Sequence, residues 1–174
     1  AAAIAHRGPD DWGATCDDRV ALSMRRLSII DLAGGHQPMR RDGVAIVYNG
    51  EVYNYRELRS RLESEGARFE TDSDTEVVLE AYRAWGVGML DRLAGMFALC
   101  IYDERAGAVH LARDRLGKKP LYWWRDGDRF TFASEIKALV AGVNPPELDR
   151  QAIHDYLTLR YVPGPGTIWR GIHK

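Results

Sequence analysis

Between Asn54 and Gly86 the apolar residues recur every three or four positions, and beyond Gly95 they switch to alternation. That change of period constrains the fold more than any other feature. The first region holds two helices in succession. Asn54 stands as an N-cap with Glu57 three residues on, Tyr55, Leu58 and Leu62 share one face, and Gly66 ends the run. Ser73 then caps a second helix with Glu76 in its first turn, an apolar stripe of Val78, Ala81, Tyr82 and Trp85, and Gly86 as the stop. The second region predicts strands at 96–102, 108–112, 121–124 and 129–133, with turns at Arg105-Ala106-Gly107 and Asp126-Gly127. Links this short join antiparallel neighbours. Paired helices with strands grouped around them specify α+β layers rather than an alternating βαβ chain.

The flanks read less regularly. Residues 1–5 resemble the tail of an apolar helix, and "HRGPDDWG" (6–13) is turn-rich, which leaves Cys16 in a loop. Residues 20–30 suit one or two short strands, broken at Gly34-Gly35. Asp42-Gly43 is a tight turn leading into a buried strand at 44–48. Towards the end, a short helix is expected at 135–140, a linker at Asn144-Pro145-Pro146, and a last helix capped by Asp149 and running to about Leu159. The chain opens without methionine and closes on a Pro/Gly-rich stretch that reads as the start of another element, so a longer parent chain is expected.

Composition excludes several classes of function. With 174 residues, 45% hydrophobic and 28% charged, the chain is ordinary globular protein able to bury roughly 70% of its unfolded surface. Basic and acidic residues number 24 and 25, a net charge of -1 that draws the chain neither to nucleic acid nor to an anionic membrane. No apolar run approaches the roughly 18 residues of a membrane span. Cys16 and Cys100 are the only cysteines, with no CxxC, and the five histidines lack metal-ligand spacing, so no metal is expected. A reduced, cytoplasmic setting fits.

The chemistry concentrates in "VYNGEVYNY" (47–55). Asn49-Gly50 reads as a type I′ hairpin turn. It reads equally as a strand-to-helix loop whose backbone N–H and asparagine amide can stabilise an oxyanion, with Glu51 beside them for an ammonium group. "SDTE" (73–76) is a capping box, although Asp74 in the first turn is also placed to face a cation. Arg25 and Arg26 point to opposite sides if they lie in a strand, so one is solvated and the other can take a carboxylate. "ARDRLGKKPLYW" (112–123) lacks P-loop spacing and reads as a surface turn between strands. No nucleophile accompanies these groups: Cys100 sits mid-strand among apolar residues, and Cys16 adjoins Asp17 and Asp18, whose charge disfavours a thiolate.

In order along the chain, "HRGPDDWG", "RRLSIIDL", "QPM", "YNGEVYNY", "SDTEVVLEAY", "GMFALCIYD", "ARDRLGKKPLYW" and "FASEIKAL" resemble the class II glutamine amidotransferase domain of glutamine-hydrolysing asparagine synthetases. "YLTLRYVPGPGTIWRGIHK" resembles the bridge into the synthetase domain. The resemblance implies a four-layer αββα N-terminal-nucleophile sandwich with two antiparallel sheets. It implies an amidotransferase domain over 1–142 and a linker with the start of the synthetase domain over 143–174. It implies that Arg26 binds the glutamine carboxylate, that Glu51 and Asp74 orient its amino group, and that Asn49 and the Gly50 N–H form the oxyanion hole. The nucleophile of that family is an N-terminal cysteine whose own α-amine is the base, and no cysteine of this chain falls at its position. The expected partners are glutamine, a C-terminal synthetase domain of the same chain and, through the sheet edge that a missing strand leaves, a homodimer. No cofactor is expected in this domain, and ATP and magnesium belong to the synthetase domain. By this resemblance the parent chain is an asparagine synthase and the 174 residues alone are inactive. Two alternatives stand beside it: an amidotransferase of the same family serving an antibiotic or a surface sugar, and a module that binds an amino acid without turning it over.

Overall fold

The computed structural model describes every residue except 28–30, 32–33, 142 and 144–145. The chain packs as two compact units, Ala1–Lys119 and Pro120–Lys174. Part of the strand expected at 20–30, and most of the linker expected at 144–146, lie outside the described residues.

The first unit opens with a 3-10 helix, Ala2–Arg7. Two strands follow, β1 (Asp11–Cys16) and β2 (Ala21–Arg26), paired with Asp11 opposite Arg26 and Cys16 opposite Ala21. The loop expected at 6–13 is therefore helix and strand at its two ends. Cys16 lies on an exposed strand and not in a loop. Neither segment alternates in hydrophobicity, and it is backbone pairing with β2 that makes β1 a strand.

Next come β3 (Met39–Arg41) and β4 (Val44–Val52), joined at Asp42-Gly43 with φ of 47° and 76°. Two consecutive positive φ values are the two-residue hairpin geometry that Asp-Gly favours. Helices α1 (Tyr55–Ser64) and α2 (Asp74–Trp85) follow, then β5 (Gly95–Asp103) and β6 (Ala108–Arg113), giving a four-stranded antiparallel sheet ordered β3-β4-β5-β6. The core lies between one face of this sheet and the helices. Ile46, Tyr48 and Val52 of β4 meet Leu58 and Leu62 of α1 and Val78 of α2. Only the Leu58/Leu62 stripe of α1 is buried, as its spacing predicts, whereas α2 is buried all round from Asp74 to Tyr82.

Two expected caps form differently. Asn54 occupies the N-cap of α1, but its side chain makes no cap bond. It instead donates to the Arg92 carbonyl (2.9 Å) and accepts from the Ala94 N–H (3.0 Å), tying the helix start to the approach of β5. Ser73 does cap α2 by accepting from the Thr75 N–H (3.1 Å), while Glu76 turns away to take the N–H groups of Glu70 and Thr71.

Beyond β6 the "RDRLGKKP" stretch is a turn folded around Asp114, which accepts from the N–H groups of Lys118 (2.9 Å) and Lys119 (3.0 Å). Burial pushes this carboxyl up, but the amides of Lys119, Lys118, Phe97 and Leu116 outweigh it and hold Asp114 below the usual carboxylate range. The turn contains no phosphate cradle.

The second unit holds β7 (Tyr122–Asp126), β8 (Arg129–Ala133), α3 (Ile136–Leu139), α4 (Arg150–Leu159) and the short β9 (Ile172–His173), with strand order β8-β7-β9. Asp149 caps α4 through the N–H groups of Gln151 and Ala152, as its position predicts. Every strand pairing among the described residues is antiparallel, and the fold is α+β. Among these residues no helix is long and apolar enough to cross a membrane.

Candidate active site

β3 ends at Met39 while β4 runs on to Val52, so the last rungs of β4 have no neighbouring strand on that side. Their direction follows from the register. Phe97, opposite Gly50, turns its carbonyl and N–H towards Asp114 on the β6 side. Gly50 therefore points its own N–H and C=O away from β5, out of the open edge, and so do Tyr48 and Val52 two residues either side. At Tyr48 the rung is closed by a side chain: Gln37 accepts from the Tyr48 N–H (2.7 Å) and donates to the Tyr48 carbonyl (3.1 Å). At Val52 it is closed by Asp74, which accepts the N–H at 3.1 Å. Between these two stops, the Gly50 N–H has no partner among the described residues.

Asn49-Gly50 is thus neither a hairpin turn nor a strand-to-helix loop, because β4 passes straight through it. The glycine answers to packing. A Cβ at position 50 would sit 2.3 Å from the Met96 carbonyl and 2.7 Å from Phe97 Cα, so only glycine lets β5 come this close.

Asn49 and Glu51 lie opposite Ala98 and Met96, on the sheet face turned away from the helical core. Both are half-buried. Neither side chain has a hydrogen bond or ion pair among the described residues. An amide, a backbone N–H and a carboxylate therefore stand uncommitted on three consecutive residues.

Asp74 opens α2 and is 4% exposed. Its Oδ2 accepts from the Tyr48 hydroxyl (2.8 Å) as well as from Val52. Burial raises its carboxyl above the ordinary range, the Tyr48 hydroxyl and the Val52 and Thr75 amides work against that, and the charge of Glu51 adds to it. Two carboxylates close enough to repel, one of them desolvated, form a place where a cation relieves both.

Of the tandem arginines, Arg26 is the one turned inward, at 8% exposure. Its Nη2 donates to the Asp31 carbonyl (2.6 Å), and Gly35 leaves room for the guanidinium, since a Cβ there would lie 2.2 Å from Nη2. Asp31 in turn accepts from the Asp72 N–H (2.9 Å), two residues before α2. Arg25 is half-buried, with an Nε that has no hydrogen-bond partner among the described residues.

Asn49, Gly50, Glu51 and Asp74 thus gather at the exposed end of β4 and the start of α2, and Arg26 is linked to that start through Asp31. Sequence reasoning missed Gln37 and Tyr48. Gln37 was only part of a motif, Tyr48 had the pattern of an ordinary core aromatic, and nothing local signals that either closes a sheet edge. Neither cysteine belongs to the group: Cys100 is fully buried in β5, with burial pushing its thiol up to about 12, and Cys16 is out on β1. No group of three or more His, Cys, Asp or Glu among the described residues converges as a metal site would. Two cavities lie elsewhere. One of about 470 Å³ is ringed by Arg41, Arg68, Arg83 and three glutamates, and one of about 300 Å³ is an apolar space against β6.

The glutamine amidotransferase domain model matches residues 1–174. Asparagine synthetase [glutamine-hydrolyzing] 1 of Bacillus subtilis is 44% identical over 173 residues, covering 98% of this chain and 27% of that protein. Asparagine synthetase [glutamine-hydrolyzing] 3 of the same organism is 39% identical, with 98% and 29% covered. In Arabidopsis thaliana, asparagine synthetase [glutamine-hydrolyzing] 2 is 43% identical over 140 residues, covering 78% of this chain and 24% of its own. Among solved structures, glutamine phosphoribosylpyrophosphate amidotransferase from B. subtilis, complexed with ADP and GMP, superposes with a TM-score of 0.52 and 31% identity over 59% of this chain and 25% of that one. The chain thus spans under a third of the length of these synthetases.

Proposed function

Because the chain belongs to the class II glutamine amidotransferase domain family, we propose that it is the glutamine-binding, ammonia-supplying part of a longer glutamine-dependent asparagine synthetase. The observation that carries the reading is the uncommitted run Asn49-Gly50-Glu51 beside buried Asp74. In this proposal Arg26 takes the α-carboxylate of L-glutamine, with Glu51 and Asp74 on its α-ammonium. The side-chain amide carbonyl then lies against the Asn49 amide and the Gly50 N–H.

Hydrolysis needs a thiolate that attacks this carbonyl carbon. Charge moves onto the oxygen, where the two donors stabilise it. Collapse expels ammonia, with a proton from the base, and leaves a thioester that water cleaves to glutamate. Neither Cys16 nor Cys100 suits the attack, and we assign it to an N-terminal cysteine outside this sequence. Residues 1–142 form the amidotransferase domain in this reading, and 143–174 lead into a synthetase domain. ATP and magnesium serve that domain in activating aspartate, and no cofactor is assigned here.

The test has two parts. L-Glutamine binding to the 174-residue chain, followed by calorimetry, is expected to be lost in Arg26→Ala and in Asp74→Asn. In the full-length protein, Asn49→Ala is expected to raise the barrier to glutamate release by roughly 3–4 kcal/mol. Unchanged turnover in that variant sinks the oxyanion assignment, and ammonia transfer to an acceptor other than aspartate sinks the synthetase reading alone.

A further inference from the structure

Tyr48 carries more hydrogen-bonding than a core aromatic needs. It is 4% exposed and packs in the cluster between β4 and the helices. Its N–H and C=O are both held by Gln37, whose Nε2 also reaches the Thr75 hydroxyl at 3.3 Å. Its own hydroxyl donates to Asp74 Oδ2 at 2.8 Å. The ring is therefore fixed at the backbone by one side chain and at its tip by another, and the tip touches a residue of the proposed ammonium site. We infer that Tyr48 is a positioning residue for ammonium recognition, its buried hydroxyl fixing the Asp74 carboxylate against the edge of β4 so that Asp74 and Glu51 act as a pair. The inference rests on the reading of Asp74 as an ammonium acceptor.

The physical reason is the balance of forces on Asp74. Burial and the charge of Glu51 both favour its neutral form, and a neutral Asp74 is a poor partner for a cation. The Tyr48 hydroxyl is the one side-chain group that opposes them. Burial and the neighbouring carboxylates push the phenol itself well above its ordinary range, so it stays a donor. The titratable groups facing Asp74 are Tyr48 and Glu51 on β4. On its own helix, Glu76 is turned towards Thr71 and Arg41, and in the adjoining loop Asp31 is bonded to the amides of Gly34 and Asp72.

Removing the hydroxyl raises the Asp74 carboxyl further, so more acid is neutral at a given pH. Affinity for the ammonium ligand is then lost on the acid side and regained as pH rises. The experiment compares L-glutamine with its deamino analogue, 4-carbamoylbutyrate, by calorimetry from pH 5 to pH 8, on the chain and on Tyr48→Phe. A shift of one pKa unit corresponds to about tenfold weaker L-glutamine binding at the acid end, closing to about twofold at pH 8. The analogue, which has no ammonium, is expected to bind both proteins alike. Equal weakening of both ligands at every pH overturns the inference, since that is what loosened packing would do. Should Tyr48→Phe not fold, 3-fluorotyrosine placed at position 48 keeps the ring and gives a stronger donor. It is expected to move the L-glutamine profile towards acid, and an unmoved profile overturns the inference. If Asp74→Asn binds L-glutamine as well as the parent does, the ammonium reading fails and this inference with it. If Asp74→Asn loses binding while the profile of Tyr48→Phe stays put, only Tyr48 is wrongly assigned.

Discussion

Replacing Gly50 by alanine asks whether this residue is glycine for the ligand or for the sheet. The added Cβ would lie 2.3 Å from the Met96 carbonyl oxygen, 2.7 Å from Phe97 Cα and 2.9 Å from Phe97 Cβ, far inside ordinary contact. Two of these atoms are backbone and cannot rotate aside. Relief requires β4 and β5 to separate, yet Asn49 and Glu51 on either side are paired to Ala98 and Met96. Loosening those two rungs costs about 1 kcal/mol per hydrogen bond, and overpacking the seam about 1–3 kcal/mol more. A loss of about 3–5 kcal/mol follows, or roughly 10–20 °C in melting temperature for a domain of this size. Gly66→Ala is the control. Its φ of 97° disfavours alanine, but nothing lies within 4 Å, so about 1 kcal/mol is expected there. Gly95 meets the same seam from the other strand, where a Cβ would lie 2.2 Å from the Glu51 carbonyl. Once Gly50→Ala has opened the seam, Gly95→Ala is expected to cost less than it does alone. Urea denaturation followed by tryptophan fluorescence measures all four proteins. A Gly50→Ala protein no less stable than Gly66→Ala would refute the packing argument.

Other expectations concern residues away from the site. Arg41 holds Glu76 at 2.9 Å and Glu80 at 2.9 Å, both nearly fully buried, so Arg41→Ala leaves buried charge unpaired and is expected to cost about 3–5 kcal/mol. Burial pushes Glu76 up, but the Thr71 hydroxyl, the Glu70 and Thr71 amides and the Arg41 charge outweigh it, so the carboxyl lies below its ordinary range. Its contribution is complete above the unfolded glutamate range, near 4.3, and is lost as pH falls through the folded value. The stability gap between parent and Arg41→Ala is therefore expected to narrow in acid, and urea midpoints from pH 7 to pH 3 that keep a constant gap would contradict it. Iodoacetamide is expected to label the native chain once, at exposed Cys16, and buried Cys100 only after unfolding; two labels on the native chain would count against the placement of β5.

What could be read from the sequence was mostly local. The Asp42-Gly43 hairpin, the Ser73 and Asp149 caps, the stops at Gly66 and Gly86 and the strand at Arg129–Ala133 each depend on a few neighbouring residues, and they stand where local chemistry put them. The failures arise where a distant segment decides. Asn49-Gly50 carries a strong turn signal, yet the strand passes through it because β5, more than forty residues on, demands a glycine there. Asn54 has the chemistry of a cap, but its amide is drawn to residues 92–94. β1 has no alternation to betray it. The site was legible as residue types, because an amide, a glycine and two acids are conspicuous in sequence. Its supports were not, since Gln37 and Tyr48 act only through contacts the fold creates.

The way the edge of β4 is closed has a consequence for the chain in solution. A sheet edge with consecutive free rungs is a template on which another strand, from any source, can assemble. Here the rung at Tyr48 is occupied by an amide side chain and the rung at Val52 by a carboxylate, and a single free N–H lies between them. An incoming strand needs several rungs in register and finds one. The edge is guarded against aggregation without being covered, and what it still admits is a molecule small enough to be satisfied by one amide.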